Sequence, residues 1–166
     1  SRIAATTQGY GMFALVDYAF AGNFSFVDKD LIGSTGHSMG GNAAIRGANY
    51  FGKKAIEEGT NSKLHSVYIS GYVLTLRDDI LKDSRSNMGV SYAFYDEGAF
   101  RNELKGWDAA NMKIAPESLR TVNGILPEDK KIKKVELGKY YGDKSNNSLR
   151  VIFNEKLFHP FQPYKN

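Results

Sequence analysis

Apolar positions along the chain switch period several times, and each switch marks a change of element. Across 9–22 the residues Met12, Phe13, Leu15, Val16, Tyr18 and Ala19 recur at helical spacing and predict a helix with a broad apolar face. A polar loop over 23–30 follows. The run 31–37, Leu-Ile-Gly-Ser-Thr-Gly-His, is short and free of internal charge, which fits a buried parallel strand. From 39 to 58 the period returns to helical, with Ala43, Ala44, Ile45, Ala48 and Phe51 on one side.

Further along, 64–73 and 88–94 are rich in Val, Ile, Tyr and Phe and predict two more strands; the turn residues Tyr95-Asp96-Glu97-Gly98 end the second. The stretch 100–125 reads as helix and loop covering the sheet. Segments 134–141 and 149–155 flank the polar run 142–147 and predict a late hairpin. Strands alternating with helices make an α/β pattern, with a mostly parallel sheet flanked by helices.

Composition narrows this picture. The 166 residues suit one domain, 1–166. A 42% hydrophobic and 24% charged balance is that of a folded globular chain. Net charge is +4, but the 22 basic residues are scattered rather than gathered into a stripe, which argues against nucleic-acid binding. No apolar run approaches the roughly 18 residues of a membrane span. Cysteine is absent, which excludes disulfides, thiolate metal sites and a cysteine nucleophile. With three histidines and no metal-ligand spacing, no metal is expected, and no glycine cluster matches a dinucleotide or phosphate fingerprint, so no cofactor is expected. The chain opens Ser1-Arg2-Ile3-Ala4, without methionine or an apolar leader, and reads as a piece excised from a longer protein, secreted or membrane-anchored.

The chemistry gathers at Gly36-His37-Ser38-Met39-Gly40-Gly41, a G-x-S-x-G pattern between a predicted strand and a predicted helix. A serine on such a sharp turn is forced into strained backbone angles. The glycines two before and two after, Gly36 and Gly40, are therefore expected to tolerate almost no side chain. Gly41 would let the helix sit close to the sheet. Ser38 Oγ would project from the end of the sheet, and the Met39 N–H, at a helix N-terminus, would face a developing oxyanion.

A serine hydroxyl needs an imidazole to take its proton and a carboxylate to orient that imidazole. His37 adjoins the serine and is expected to pack or hydrogen-bond beneath the turn. His65 opens a strand at the end away from the turn. His159, in Phe158-His159-Pro160-Phe161 beyond the last strand, is left as the base. For the acid, Asp96 follows the third strand and lies between Ser38 and His159 in the chain, with Glu97, Asp78 and Asp79 as alternatives.

Residues 28–41, Asp-Lys-Asp-Leu-Ile-Gly-Ser-Thr-Gly-His-Ser-Met-Gly-Gly, resemble the elbow region of α/β-hydrolases, especially bacterial esterases, lipases and dienelactone-hydrolase-like members. The likeness is strong around the elbow and patchy beyond it. It implies a partial α/β-hydrolase fold, a Ser-acid-His order along the chain, and cleavage of a small-molecule carboxylic ester without a cofactor. The strands that normally precede the elbow strand, and the loop carrying a second oxyanion donor, have no counterpart in the sequence. Loss of such a donor costs about 3–4 kcal/mol. The resemblance therefore also implies an open sheet edge, to be completed by a missing N-terminal segment or a second copy of the chain. A hydrolase-fold domain that binds or associates without much catalysis is the competing expectation.

Overall fold

The computed structural model describes residues 10–160. Four parallel strands, β1 (Gly33–His37), β2 (Ser66–Ser70), β3 (Asn87–Ser91) and β4 (Arg150–Phe153), form one sheet in the order β1-β2-β3-β4. Helices α1 (Tyr10–Phe20), α2 (Met39–Glu58), α3 (Asp78–Leu81) and α4 (Pro116–Asn123) flank it. The fold is α/β, as the alternating pattern predicted.

Helix α2 is the β1–β2 crossover and packs on both of those strands. Its buried positions Gly41, Ala44, Ile45, Ala48, Phe51, Gly52 and Ala55 repeat every three or four residues. They pack over β2, whose Val67 and Ile69 face them, and the same sheet face continues through Met88 and Val90 of β3 to Ile152 of β4, the strand on which α4 packs; all five side chains are at most 3% exposed. Burying this apolar layer stabilises the fold by about 25 cal/mol for each Å² removed from water. Gly59, in the left-handed conformation at φ +64°, closes the helix by donating its N–H to Ala55 O.

The opposite sheet face is thinly covered. Thr35 and Tyr68 are exposed, and the Tyr68 ring lies across Gly89, where an added Cβ would come within 2.6 Å of it. β1 has no neighbour on its outer side among the described residues, and its residues alternate between exposed and half-buried. The expected buried strand is thus an edge strand, and only 33–37 of the predicted 31–37 pairs as strand. Residues Lys29–Leu31 form a single helical turn instead, because Asp28 Oδ1 accepts the Asp30 N–H at 3.0 Å and caps it.

Two other expectations change. Among its described side chains helix α1 buries only Val16 and Ala19, leaving Leu15 and Tyr18 more than half exposed, and Gly9 lies outside the described residues. The late hairpin is reduced to one antiparallel bridge, Tyr141 with Arg150, plus a bond from Gly138 N–H to Ile152 O at 2.8 Å. Gly138 and Gly142 both adopt positive φ, +74° and +78°, so too little chain lies between them to form a strand. β4 pairs in parallel with β3 instead. Among the described residues no helix is long and apolar enough to cross a membrane.

Candidate active site

Ser38 sits between the C-terminal end of β1 and the first turn of α2, with φ 54° and ψ −119°. That region is unfavourable for a residue with a Cβ and costs on the order of 1–3 kcal/mol. The surroundings hold it there: the Ser38 N–H donates to Ser70 O at 2.8 Å, and Ser38 O accepts the Asn42 N–H at 3.2 Å. An added Cβ on Gly36 would lie 2.1 Å from the backbone of Gly40, so the turn closes only if position 36 is glycine. Gly40 itself is different. A Cβ there meets nothing within 4 Å, which corrects the expectation that both flanking glycines exclude a side chain. The tight helix–sheet approach falls instead on Gly41, whose added Cβ would come within 3.1 Å of Ile69 and Tyr72.

Three of the residues singled out in the sequence meet at this turn. Ser38 Oγ lies 3.0 Å from His159 Nε2, and His159 Nδ1 lies 2.6 Å from Asp96 Oδ2. An ionised carboxylate only accepts, so Nδ1 carries the imidazole proton and Nε2 is free to accept from the serine hydroxyl. Asp96 is buried, and its other oxygen accepts the Gly98 N–H at 2.7 Å. Both carboxylate oxygens are therefore committed, and the His159 ring is fixed in direction.

The segment carrying His159 is held along its length. Past the end of β3 and β4, Phe94 N–H donates to Glu155 O and Tyr95 N–H to Leu157 O, at 2.8 and 3.0 Å. Asn154 Nδ2 donates to Tyr92 O while Asn154 Oδ1 accepts the Met112 N–H, and Ser91 Oγ donates to Glu155 Oε2 at 2.8 Å. These bonds bring residues far apart in the chain into register beside the elbow.

The other candidates lie elsewhere. Glu97 is exposed, and Asp79 is exposed and paired with Arg77 at 2.9 Å. Asp78 opens α3. His65 is 3.3 Å from Asn87 Nδ2 at the far end of the sheet, on the wall of a cavity of about 650 Å³ that Phe51, Lys63 and Asp143 also line. His37 is not beneath the turn. It faces outward beside His159, with ring centroids 4.8 Å apart, and its Nδ1 is 3.1 Å from Ser70 Oγ. Partial loss of water around the ring, and then the charge of His159, hold its pKa below the usual histidine value, against an opposing pull from Asp96.

Sequence reasoning missed Ser70 and Gly71. Ser70 supports the elbow twice, through its carbonyl and its hydroxyl. Gly71, at φ +62°, makes room for both imidazoles, since an added Cβ would lie 2.8 Å from His37 and 3.2 Å from His159. A Ser-Gly pair ending a strand was the available signal. Among the described residues no three His, Asp or Glu side chains converge as metal ligands. No family model, curated protein or solved structure matches the chain.

Proposed function

We propose that the chain is a serine hydrolase of α/β-hydrolase type that cleaves carboxylic esters by acyl transfer. The observation that carries this reading is the continuous line from Ser38 Oγ through the His159 imidazole to the buried Asp96 carboxylate, at 3.0 and 2.6 Å. Those distances lie within the reach that proton transfer requires. A surface histidine in an incidental turn would have no reason to be clamped by a carboxylate on one nitrogen and faced by a strained serine on the other.

The steps follow from the geometry. Ser38 Oγ forms a bond to the ester carbonyl carbon as its proton passes to His159 Nε2. The carbonyl π electrons move onto oxygen. Asp96 remains ionised and stabilises the imidazolium. The first N–H groups of α2 have no acceptor within the helix, and Met39 N–H is the one placed next to the nucleophile to meet the oxyanion. As the tetrahedral intermediate collapses, the C–O bond to the alcohol breaks and His159 returns its proton to the leaving oxygen. Water, activated by the same imidazole, then hydrolyses the acyl-serine. An exposed apolar side chain adjoins each of the three residues, Met39 by Ser38, Tyr95 by Asp96 and Phe158 by His159, which supports an ester with apolar groups.

A second reading is favoured by the open β1 edge and the thin cover over Tyr68: a hydrolase-fold domain whose role is association with another chain or a second copy. Turnover of a series of p-nitrophenyl esters separates the two. The hydrolase reading predicts turnover that Ser38→Ala abolishes with an unchanged circular dichroism spectrum. Turnover equal in wild type and Ser38→Ala would reject it.

A further inference from the structure

Arg150 opens β4 on the covered face of the sheet and is 3% exposed. Its Nη1 donates to Ser86 O and Leu149 O, both at 2.8 Å. Its Nε is buried with no acceptor, and no hydrogen bond involves Nη2 among the described residues. No carboxylate ion-pairs with it there either. Burial, and the charge of Arg85, bring its pKa down to about 10, which still leaves it a cation at neutral pH. A buried cation balanced only by two neutral carbonyls is strongly unfavourable.

The space beside it has the character the charge calls for. A cavity of about 160 Å³ is walled by Arg150, Arg85, Lys82 and Arg120, with Asp78 as the acidic residue in its lining among the described residues. Arg120 is already committed to Leu76 O and to Glu103. Arg85 and Lys82 are exposed at the rim. The volume falls below the ~300 Å³ at which pockets for organic ligands begin. With Nη1 spent, what Arg150 has left to offer is its Nε–Nη2 edge, two parallel N–H donors that match two oxygens of one anion.

We propose that this cavity is a structural site for one small oxyanion of the phosphate or sulfate class, received on the Nε–Nη2 edge of Arg150 with Arg85 and Lys82 at the mouth. The anion would neutralise the guanidinium where β4 begins, and β4 is the strand whose far end leads to His159. The site is separate from the Ser38 turn and does not depend on its chemistry.

The test is the thermal midpoint of the whole chain in inorganic phosphate against sodium chloride at matched ionic strength. An anion that binds only the folded state, present at ten times its dissociation constant, raises the midpoint by about 3–5 °C. Arg150→Met should abolish that rise. It should also melt no lower than wild type when phosphate is absent, because it removes an unbalanced buried charge. Arg85→Gln, at an exposed position, should reduce the rise and decides the matter if Arg150→Met does not fold. Glycerol phosphate in place of phosphate distinguishes a free ion from a phosphoryl head group; stabilisation by either supports the site. An equal rise in chloride, or a phosphate rise undiminished in the folded variants, would overturn the proposal.

Discussion

The two glycines that flank Ser38 are equivalent in the motif and opposite in the structure, so replacing each by alanine should give effects of opposite sign. At Gly36 the new methyl would sit 2.1 Å from both the carbonyl carbon and oxygen of Gly40. Those are backbone atoms in the first turn of α2, and relief requires that turn to move by about 1 Å away from β1. Such overpacking against main chain costs about 3 kcal/mol, which for a domain of this size lowers the melting temperature by about 6–12 °C. The same movement drags Ser38 away from His159, so reaction with a serine-directed probe should be lost as well. At Gly40 the methyl enters open space in a helical first turn, and the alanine lowers the entropy of the unfolded chain. It should raise stability by about 0.4–1 kcal/mol, a gain of about 1–4 °C. The assay is thermal melting by circular dichroism of both variants beside wild type. A Gly36→Ala protein melting within about 2 °C of wild type would refute the steric account of the elbow.

Other outcomes follow from the same geometry. Asp96→Asn keeps the shape but lets Nδ1 lose its obligatory proton, so ester turnover should fall by about 10⁴ while the melting temperature changes little; a fall below tenfold would remove Asp96 from its role. His37 has a native pKa held below its ordinary value of 6.5, so the unfolded chain takes up more protons there and stability declines as pH drops through that ordinary value. His37→Gln should therefore lose less of its melting temperature between pH 7 and pH 5 than wild type, and an identical loss would contradict the assignment.

The sequence carried the fold and the site unequally. The order of elements was legible because α2 repeats its small and apolar residues at helical spacing, β2 carries Val67, Tyr68 and Ile69 in succession, and the stretch that holds β3 continues into Tyr92, Ala93 and Phe94. The turn at Ser38 was legible because Gly36 is a steric necessity. Asp96 and His159 could be chosen because few histidines exist and each follows a strand. The exposure of β1 was not legible from its own composition, since an uncharged run reads alike in the centre and at an edge. The late hairpin failed at Gly138 and Gly142, whose left-handed angles interrupt a stretch of otherwise suitable residues. His37, Ser70 and Gly71 form a unit only because β1 and β2 pair with His37 opposite Ser70. The Ser-Gly pair at the end of β2 is visible in the sequence, but the pairing that sets it opposite His37 joins strands far apart in the chain.

The proposed hydrolase chemistry turns on Ser38 as an activated nucleophile, which a fluorophosphonate probe reads out. Intact mass should show one adduct on the wild-type chain and none on Ser38→Ala. A folded wild-type chain that gains no adduct, or an adduct that persists in Ser38→Ala, would contradict the account.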